Sequence, residues 1–306
     1  MKEKPLPQPI PDYNNVIRYS KSTILLALLC LAVIVFDFSI SGTGKRLLSK
    51  IEVNYQKAFA SNVFTDSFDN IKLSEAGKME SSDSPDWWLS SGGYFYSKNG
   101  VAKTFQKMIP KSNRWFKRYR KSNARDTDNG YHPQNIFRLV TRTQWKNFTQ
   151  EVYFRINRNN LSKSKYRNES NGLLLFNRYQ DEDNLYYAGI RVDGTVVIKK
   201  KKKGKYYALG QKRFYKGKYD RKDKPNLLPK HTWMGIKSEV ITNPDDTVSI
   251  KLYIDKDQSG NWQLALEAVD DNSKYGGESL KDEGYGGIRT DFMDVDMDNY
   301  KIQEVE

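Results

Sequence analysis

The chain has 306 residues, a net charge of +14, 29% charged residues and 13% aromatic residues. Its one cysteine, Cys30, excludes an intrachain disulfide and a Cys-ligated zinc centre, and its two histidines, His132 and His231, exclude a His-rich metal site. With 20 Tyr and 6 Trp it is too aromatic for a disordered chain, and the balance fits a β-rich domain with wet, aromatic-lined faces.

Residues 1–21 are polar and Pro-rich and cannot form a core, so they read as a cytoplasmic tail. Residues 22–42, STILLALLCLAVIVFDFSISG, follow as one apolar segment. Its uninterrupted part, Thr23 to Phe36, spans about 21 Å as a helix; extending it from Ser22 to Ile40 gives about 28 Å, close to the roughly 30 Å of a bilayer's hydrocarbon core. Asp37 lies near the end, where its carboxylate reaches the headgroups. The segment therefore predicts a transmembrane signal anchor, with the large C-terminal part outside the cytoplasm. A cleaved signal peptide is the rival, since Ser39 and Ser41 form a small-x-small pattern. Residues 43–62 place Leu47, Leu48, Ile51, Tyr55 and Phe59 near helical spacing and predict a juxtamembrane stalk.

From Val63 the pattern changes to period 2. Predicted strands include Val63–Phe68, Gly93–Tyr96, Ile136–Arg142, Phe148–Asn157, Gly172–Tyr179, Leu185–Val192, Thr195–Lys200 and Lys205–Leu209. Thr232–Ile241, Thr247–Ile254, Trp262–Val269, Gly287–Asp291 and Val295–Ile302 follow. Val192-Asp193-Gly194 is a hairpin signal, and so is the stretch from Asp257 to Asn261. Short strands without helical periods between them predict an all-β, antiparallel sandwich over residues 63–306, preceded by the single N-terminal helix. Lys107–Asn135 has no such pattern and reads as a long surface insertion.

Charge is uneven along the chain. Residues 226–306 carry 8 Lys/Arg and 17 Asp/Glu, whereas residues 43–225 carry a net +22. Such a domain has one face suited to anionic partners and another suited to cations.

The stretch GLLLFNRYQDEDNLYYAGIRVDGTVVIKKKKKGKYYALG, residues 172–210, resembles the middle hairpins of concanavalin A-like (laminin-G-like) jelly rolls, with Arg178, Asp181, Asn184 and Tyr186 in the first turn. Trp233-Met-Gly-Ile-Lys237 is similar to their Trp-bearing strand, with Ser238 in place of the last apolar residue. The ending, Gly286-Gly-Ile-Arg-Thr290 followed by Asp294-Val-Asp-Met-Asp298-Asn-Tyr-Lys-Ile302, is similar to their closing strands, and Arg289 stands where that pattern has its second glycine. The resemblance extends to 3-keto-disaccharide hydrolase domains and, more distantly, to family-16 glycoside hydrolases. It implies a jelly-roll β-sandwich and one of three roles: glycan binding, glycan cleavage or protein adhesion.

Candidate sites follow from residue type and spacing. Asp294, Asp296 and Asp298 alternate on one strand, so their carboxylates share a face, as a glycosidase pair or a cation site requires. A solvated acidic strand has the same pattern. Asp255 and Asp257 open a sequence similar to a calcium loop, with Leu266 at the position of its last ligand; hairpin-turn chemistry explains the same residues. Calcium is thus the one cofactor the sequence suggests. Trp87 and Trp88 are adjacent, so at most one faces a core, leaving the other as a sugar-stacking platform or as cover for a loop. Trp115 and Tyr119 lie among Lys111, Arg114, Lys117, Arg118, Arg120 and Lys121, and Lys201 sits in a second cluster, Lys199–Lys203. Aromatics among cations stack a sugar ring while pairing its carboxylate or sulfate; a solvated loop, or a face turned to anionic headgroups, is the alternative. The first expectation is a membrane-tethered domain that binds a carbohydrate polymer carrying negative charge. Nucleic acid is set aside by the anchor. A glycan-active enzyme is the second expectation: a hydrolase on Asp294 and Asp296, or a lyase using Arg or Lys with a Tyr or His, for which His132 is the histidine to test. A structural adhesion module is the third.

Overall fold

A computed structural model describes residues 63–305. The predicted tail, transmembrane anchor and stalk, residues 1–62, lie outside the described residues. No helix among the described residues is long and apolar enough to cross a membrane.

Two antiparallel sheets form the domain. In the first, the order across the sheet is β14 (Gln263–Asp270), β13 (Val248–Asp255), β12 (Trp233–Thr242), β7 (Phe148–Asn159), β16 (Met293–Glu304), β5 (Val101–Lys103), β4 (Tyr94–Lys98) and β2 (Lys72–Ser74), and β1 (Val63–Asp66) also pairs with β16. In the second, the order is β11 (Lys205–Arg213), β10 (Thr195–Lys202), β9 (Asn184–Arg191), β8 (Gly172–Asp181), β15 (Gly284–Asp291), β6 (Ile136–Trp145) and β3 (Trp87–Ser91). Neighbours that are far apart in sequence, such as β15 between β6 and β8, build the antiparallel two-sheet sandwich expected from the sequence. The hairpins appear where turn chemistry places them: Gly194 has φ +80°, and the Asp193 carboxylate accepts the Thr195 N–H at 3.0 Å.

Alternation builds the core. Along β7, Phe148, Val152, Phe154 and Ile156 are buried while Thr149, Glu151, Tyr153 and Arg155 are only partly so. They meet Leu173, Leu175, Ala188, Ile190 and Ile198 from the second sheet in one continuous apolar cluster. Each of the larger of these side chains, Val, Leu, Ile or Phe, contributes about 1.5–3 kcal/mol by leaving water.

Two departures from the sequence reading matter. Lys107–Asn135 is not patternless surface: it contains helix α1 (Arg114–Ser122), capped by Asn113, whose Oδ1 accepts the Trp115 N–H at 2.9 Å. Trp115, Phe116 and Tyr119 lie on its buried face and form a small core of their own with Ile109. The helix is nine residues long and its other positions are mostly cationic, so its apolar period is two turns only. The second departure is that β8, β9 and β10 are buried on both faces. An outer strand face of a sandwich is normally solvated; here Val140, Leu174, Phe176, Leu185, Tyr187 and Val197 make a second apolar layer on the outside of the second sheet.

Candidate functional site

That outer layer floors a groove of about 450 Å³. Strand register assembles it. Arg289 on β15 lies opposite Arg138 on β6 and Leu174 on β8, and Lys199 on β10 lies opposite Tyr187 on β9. Tyr206 comes from the edge strand β11. The connection from β7 to β8 forms a wall with Tyr166, Asn168 and Ser170. It is pinned by Ser164, which donates to Asp126 at 2.6 Å, and by Asn168, which accepts the Ser170 N–H at 2.9 Å. Tyr166 is exposed at the rim, with Lys165 and Arg125 at 5.2 and 5.9 Å from its ring.

The charge of the groove is organised around Asp291, which is 2% exposed. One carboxylate oxygen accepts from Arg138 Nη2 at 3.0 Å, and the other from Arg289 Nε at 2.9 Å. Burial alone would raise this carboxyl, but the two guanidinium groups outweigh it and hold it below the ordinary carboxylate range. Lys199 is different. Burial, then repulsion from Arg191 and Arg289, pulls its ammonium below the ordinary lysine value. It has no hydrogen-bond or ion-pair partner among the described residues. Three cations, Arg138, Arg289 and Lys199, thus share the groove with two carboxylates, Asp291 and Asp126. The two phenols diverge: burial pushes Tyr187 up to about 12, whereas at Tyr206 the Arg289 and Lys201 charges outweigh burial and lower it.

The residues singled out from sequence are placed as follows. Trp87 is 1% exposed and packs in the core against Tyr300, 4.7 Å between ring centres, with its Nε1 donating to Asp66. Trp88 faces the opposite way, onto the outer layer of the second sheet beside Tyr179, and donates to the Ala76 carbonyl. Trp115 and Tyr119 point inward from α1. Tyr119 accepts from the Gly92 N–H and donates to Glu75, while Arg118 lies 5.2 Å from the Trp115 ring and 3.3 Å from Glu75. Lys201 lies beside the groove, 5.3 Å from the Tyr206 ring and 3.0 Å from Asp183.

Asp294 and Asp296 are on the outer face of the first sheet, not in the groove. Both are buried and fully engaged. Asp294 accepts from Gln134, Asn160 and the Lys107 N–H, and Asp296 from Arg155, Asn157 and Lys103. The Asp298 carboxyl is half-buried and raised, by desolvation first and by Asp69 next. His132 is buried with Nδ1 3.0 Å from Asp128, and it does not line the groove. Asp255 closes its own turn: it accepts the N–H groups of Asp257, Ser259 and Gly260, and the Tyr153 hydroxyl. Asp257 is exposed and accepts from Ser259. No three His, Cys, Asp or Glu side chains among the described residues are grouped to hold a metal ion.

Arg138, Asp291, Tyr187, Tyr206, Tyr166 and Asp126 are among the groove residues that sequence reasoning missed. One signal was available: Arg289 occupies a position where the resembled pattern has glycine, and a side chain there projects from the outer face of the sheet.

No family model matches the chain, and no curated protein matches it. Among solved structures it is similar to the carbohydrate binding module CBM66 from Bacillus subtilis, with 14% identity over 71% of this chain and 95% of that one, at a TM-score of 0.43. It is also similar to a putative glycosyl hydrolase from Parabacteroides distasonis, with 9% identity over 72% of this chain and 88% of that one, at 0.39. The exoplasmic/lumenal domain of VIP36 in its Ca2+/Man2-bound form aligns with 8% identity over 80% of this chain and 88% of that one, at 0.42. TM-scores below 0.5 say nothing about ligand or chemistry, and the sandwich stands on its own strand pairing.

Proposed function

We propose that residues 63–306 bind a carbohydrate polymer carrying negative charge, in the groove on the outside of the second sheet, and that residues 22–42 anchor this domain to a membrane with the domain extracytoplasmic. The observation that carries the binding reading is the positive excess of the groove: Arg138, Arg289 and Lys199 line it with two carboxylates, Asp291 and Asp126, and Lys199 is partly desolvated with no hydrogen-bond or ion-pair partner among the described residues. A partly buried cation without a counter-ion destabilises the empty site, and an anionic substituent on a ligand relieves that. Tyr187, Tyr206 and the exposed rim residue Tyr166 supply ring faces of the kind that stack on sugars. The open groove argues against a purely structural module, in which it would be filled. The anchor is supported by the apolar run Thr23–Phe36 and its length.

The test is a glycan-binding assay on the full-length chain in detergent, using neutral, uronic and sulfated polymers at increasing salt. Binding confined to the anionic polymers, weakening with salt and lost in Lys199→Met, is the expected result. Equal binding of neutral and anionic polymers, or binding unaffected by Lys199→Met, would sink the reading.

A further inference from the structure

The groove has a basic neighbour. The connection from β7 to β8, residues 160–171, walls the groove with Tyr166 and, with Leu161 on its other flank, borders a second basin of about 480 Å³. Four cations line that basin, Arg158, Lys222, Lys224 and Lys230, against one acid, Asp223. None of the four side chains makes a hydrogen bond or an ion pair among the described residues, whereas Lys103, Lys237, Lys251 and Lys281 elsewhere on the domain each hold a carboxylate. The loop that carries Lys222 and Lys224 is fixed in place. The Asp220 carboxylate accepts the Lys222 and Asp223 N–H groups at 2.7 and 2.9 Å, Asp220 and Lys224 pair through their backbones, and the Asn226 amide donates to Asn159 at 2.8 Å. The β7–β8 connection is tied to the same loop. Arg167 donates to the Arg221 carbonyl at 3.0 Å, and Arg221 donates to the Ser164 carbonyl at 2.5 Å. The backbone that presents these cations therefore loses little freedom when an anion binds.

Groove and basin adjoin. Between them lies a crevice of about 10 Å³, room for about one water, which shares Asn168, Asn171, Asp291 and Phe292 with the groove and Asn159 and Pro225 with the basin. The crevice is too narrow for a sugar, so a ligand in contact with both sides crosses over the connection, where Lys163 and Lys165 are exposed beside one exposed acid, Glu169. The span is short. Asp294 on β16 pairs with Arg158 on β7, and Asp291 comes three residues before Asp294, so the Cα atoms of Asp291 and Arg158 are within about 17 Å of each other. Building on the anionic-glycan reading, we infer that groove and basin are two halves of one site: a single polymer chain lies in the groove, crosses the connection and places a second stretch of its negative charge in the basin. The ligand class is then a polyanion, with charge repeated along its length. A short oligomer fills only one half.

The experiment measures the affinity of the full-length chain in detergent for size-fractionated oligouronates and sulfated dextran oligomers, from the monomer to the polymer. Affinity should rise at the length that reaches from groove to basin, and only from that length should it respond to Lys222→Gln/Lys224→Gln. This double variant alters exposed side chains, so it should melt with the wild type. It should weaken long chains by about 2- to 30-fold, the worth of two exposed ion pairs, and leave short oligomers unchanged. Lys199→Met, in the groove, should weaken short and long chains alike. Lys117→Gln/Lys121→Gln removes the same charge from α1 and should change neither. Long chains bound no tighter than short ones, or unaffected by the basin variant, overturn the second half of the site and leave groove binding standing. An equal loss in the α1 variant overturns it in favour of net charge alone. Absence of binding to every uronate and sulfated oligomer overturns the two readings together.

Discussion

Replacing Asp291 by Asn tests the charge balance of the groove directly. The carboxylate is 2% exposed and takes three hydrogen bonds from Arg289 and Arg138, at 2.9, 3.1 and 3.0 Å. Asn keeps the shape and removes the charge, leaving two guanidinium groups against each other without a counter-ion. Breaking a buried ion pair from one side costs about 3–5 kcal/mol. For a domain of this size each kcal/mol lowers the midpoint by about 2–4 °C, so thermal unfolding should fall by about 6–20 °C. The pH dependence has a definite sign. Asp291 is held below its ordinary value, so its contribution is fully present above the unfolded carboxylate value, about 4, and fades as pH falls through the lower folded value. The gap between variant and wild type therefore narrows in acid. Calorimetry at neutral and acidic pH, with and without an anionic glycan, reads both effects, and the glycan should rescue Asp291→Asn more than it stabilises the wild type. A variant that melts within about 1 kcal/mol of wild type, or that no anion rescues, would refute the electrostatic account of the groove.

Lys199→Met should stabilise the empty domain slightly, because it removes a partly desolvated ammonium that has no partner, while weakening anionic glycan binding by about 10- to 150-fold, the worth of one charged hydrogen bond; paired melting and binding curves check the opposite signs. Asp296→Ala strips the counter-ion from Lys103 and Arg155, both partly exposed, and should cost about 2–3 kcal/mol in urea unfolding with glycan affinity unchanged, since it lies on the other sheet. Calcium or a chelator should leave the melting temperature unchanged, because the Asp255 oxygens are already occupied by N–H groups and the Tyr153 hydroxyl; a calcium-dependent rise measured by scanning fluorimetry would show otherwise.

The long strands were legible because alternation survives in them: β7, β12, β13 and β16 show their inward residues directly. Ser238 looked like a defect in an apolar strand. It is buried, and it donates to Asn177 at 2.7 Å, so the loss of an apolar residue is matched by a hydrogen bond. The strands β2, β3 and β5 are three to five residues long and carry too few positions for a period to register. The adjacency rule separated Trp87 from Trp88 onto opposite faces, but it could not say that the core side was Trp87. Trp115 and Tyr119 looked like exposed aromatics among cations because a helix of two turns with three apolar residues is indistinguishable, in sequence, from an interleaved basic loop. Reading the acidic strand Asp294–Asp298 required knowing which side chains meet it. Gln134, Asn160 and the backbone of Lys107 come from distant loops that no local pattern links to β16.

The groove itself is written in the sequence as a charge asymmetry and as Arg289 in the place of a glycine, and the topology brings these together. Residues 43–225 are strongly basic and supply Arg138 and Lys199; residues 226–306 are acidic and supply Asp291. Had β15 paired at the sheet edge, its acid would lie far from the arginine of β6. Insertion of β15 between β6 and β8 sets Arg289 opposite Arg138, with Asp291 two residues further along the same strand. Asp291, with Asp126 on the groove wall, then offsets part of a basic surface, while the arginine carried in on the same strand as Asp291 restores the excess. The apolar layer beneath lowers the local polarity, so the remaining positive charge acts at a strength it would lack on an open face. A sheet with two-faced burial and a cation without a partner among the described residues is costly to keep empty, and under the proposed binding that cost would favour an anionic ligand over a neutral one.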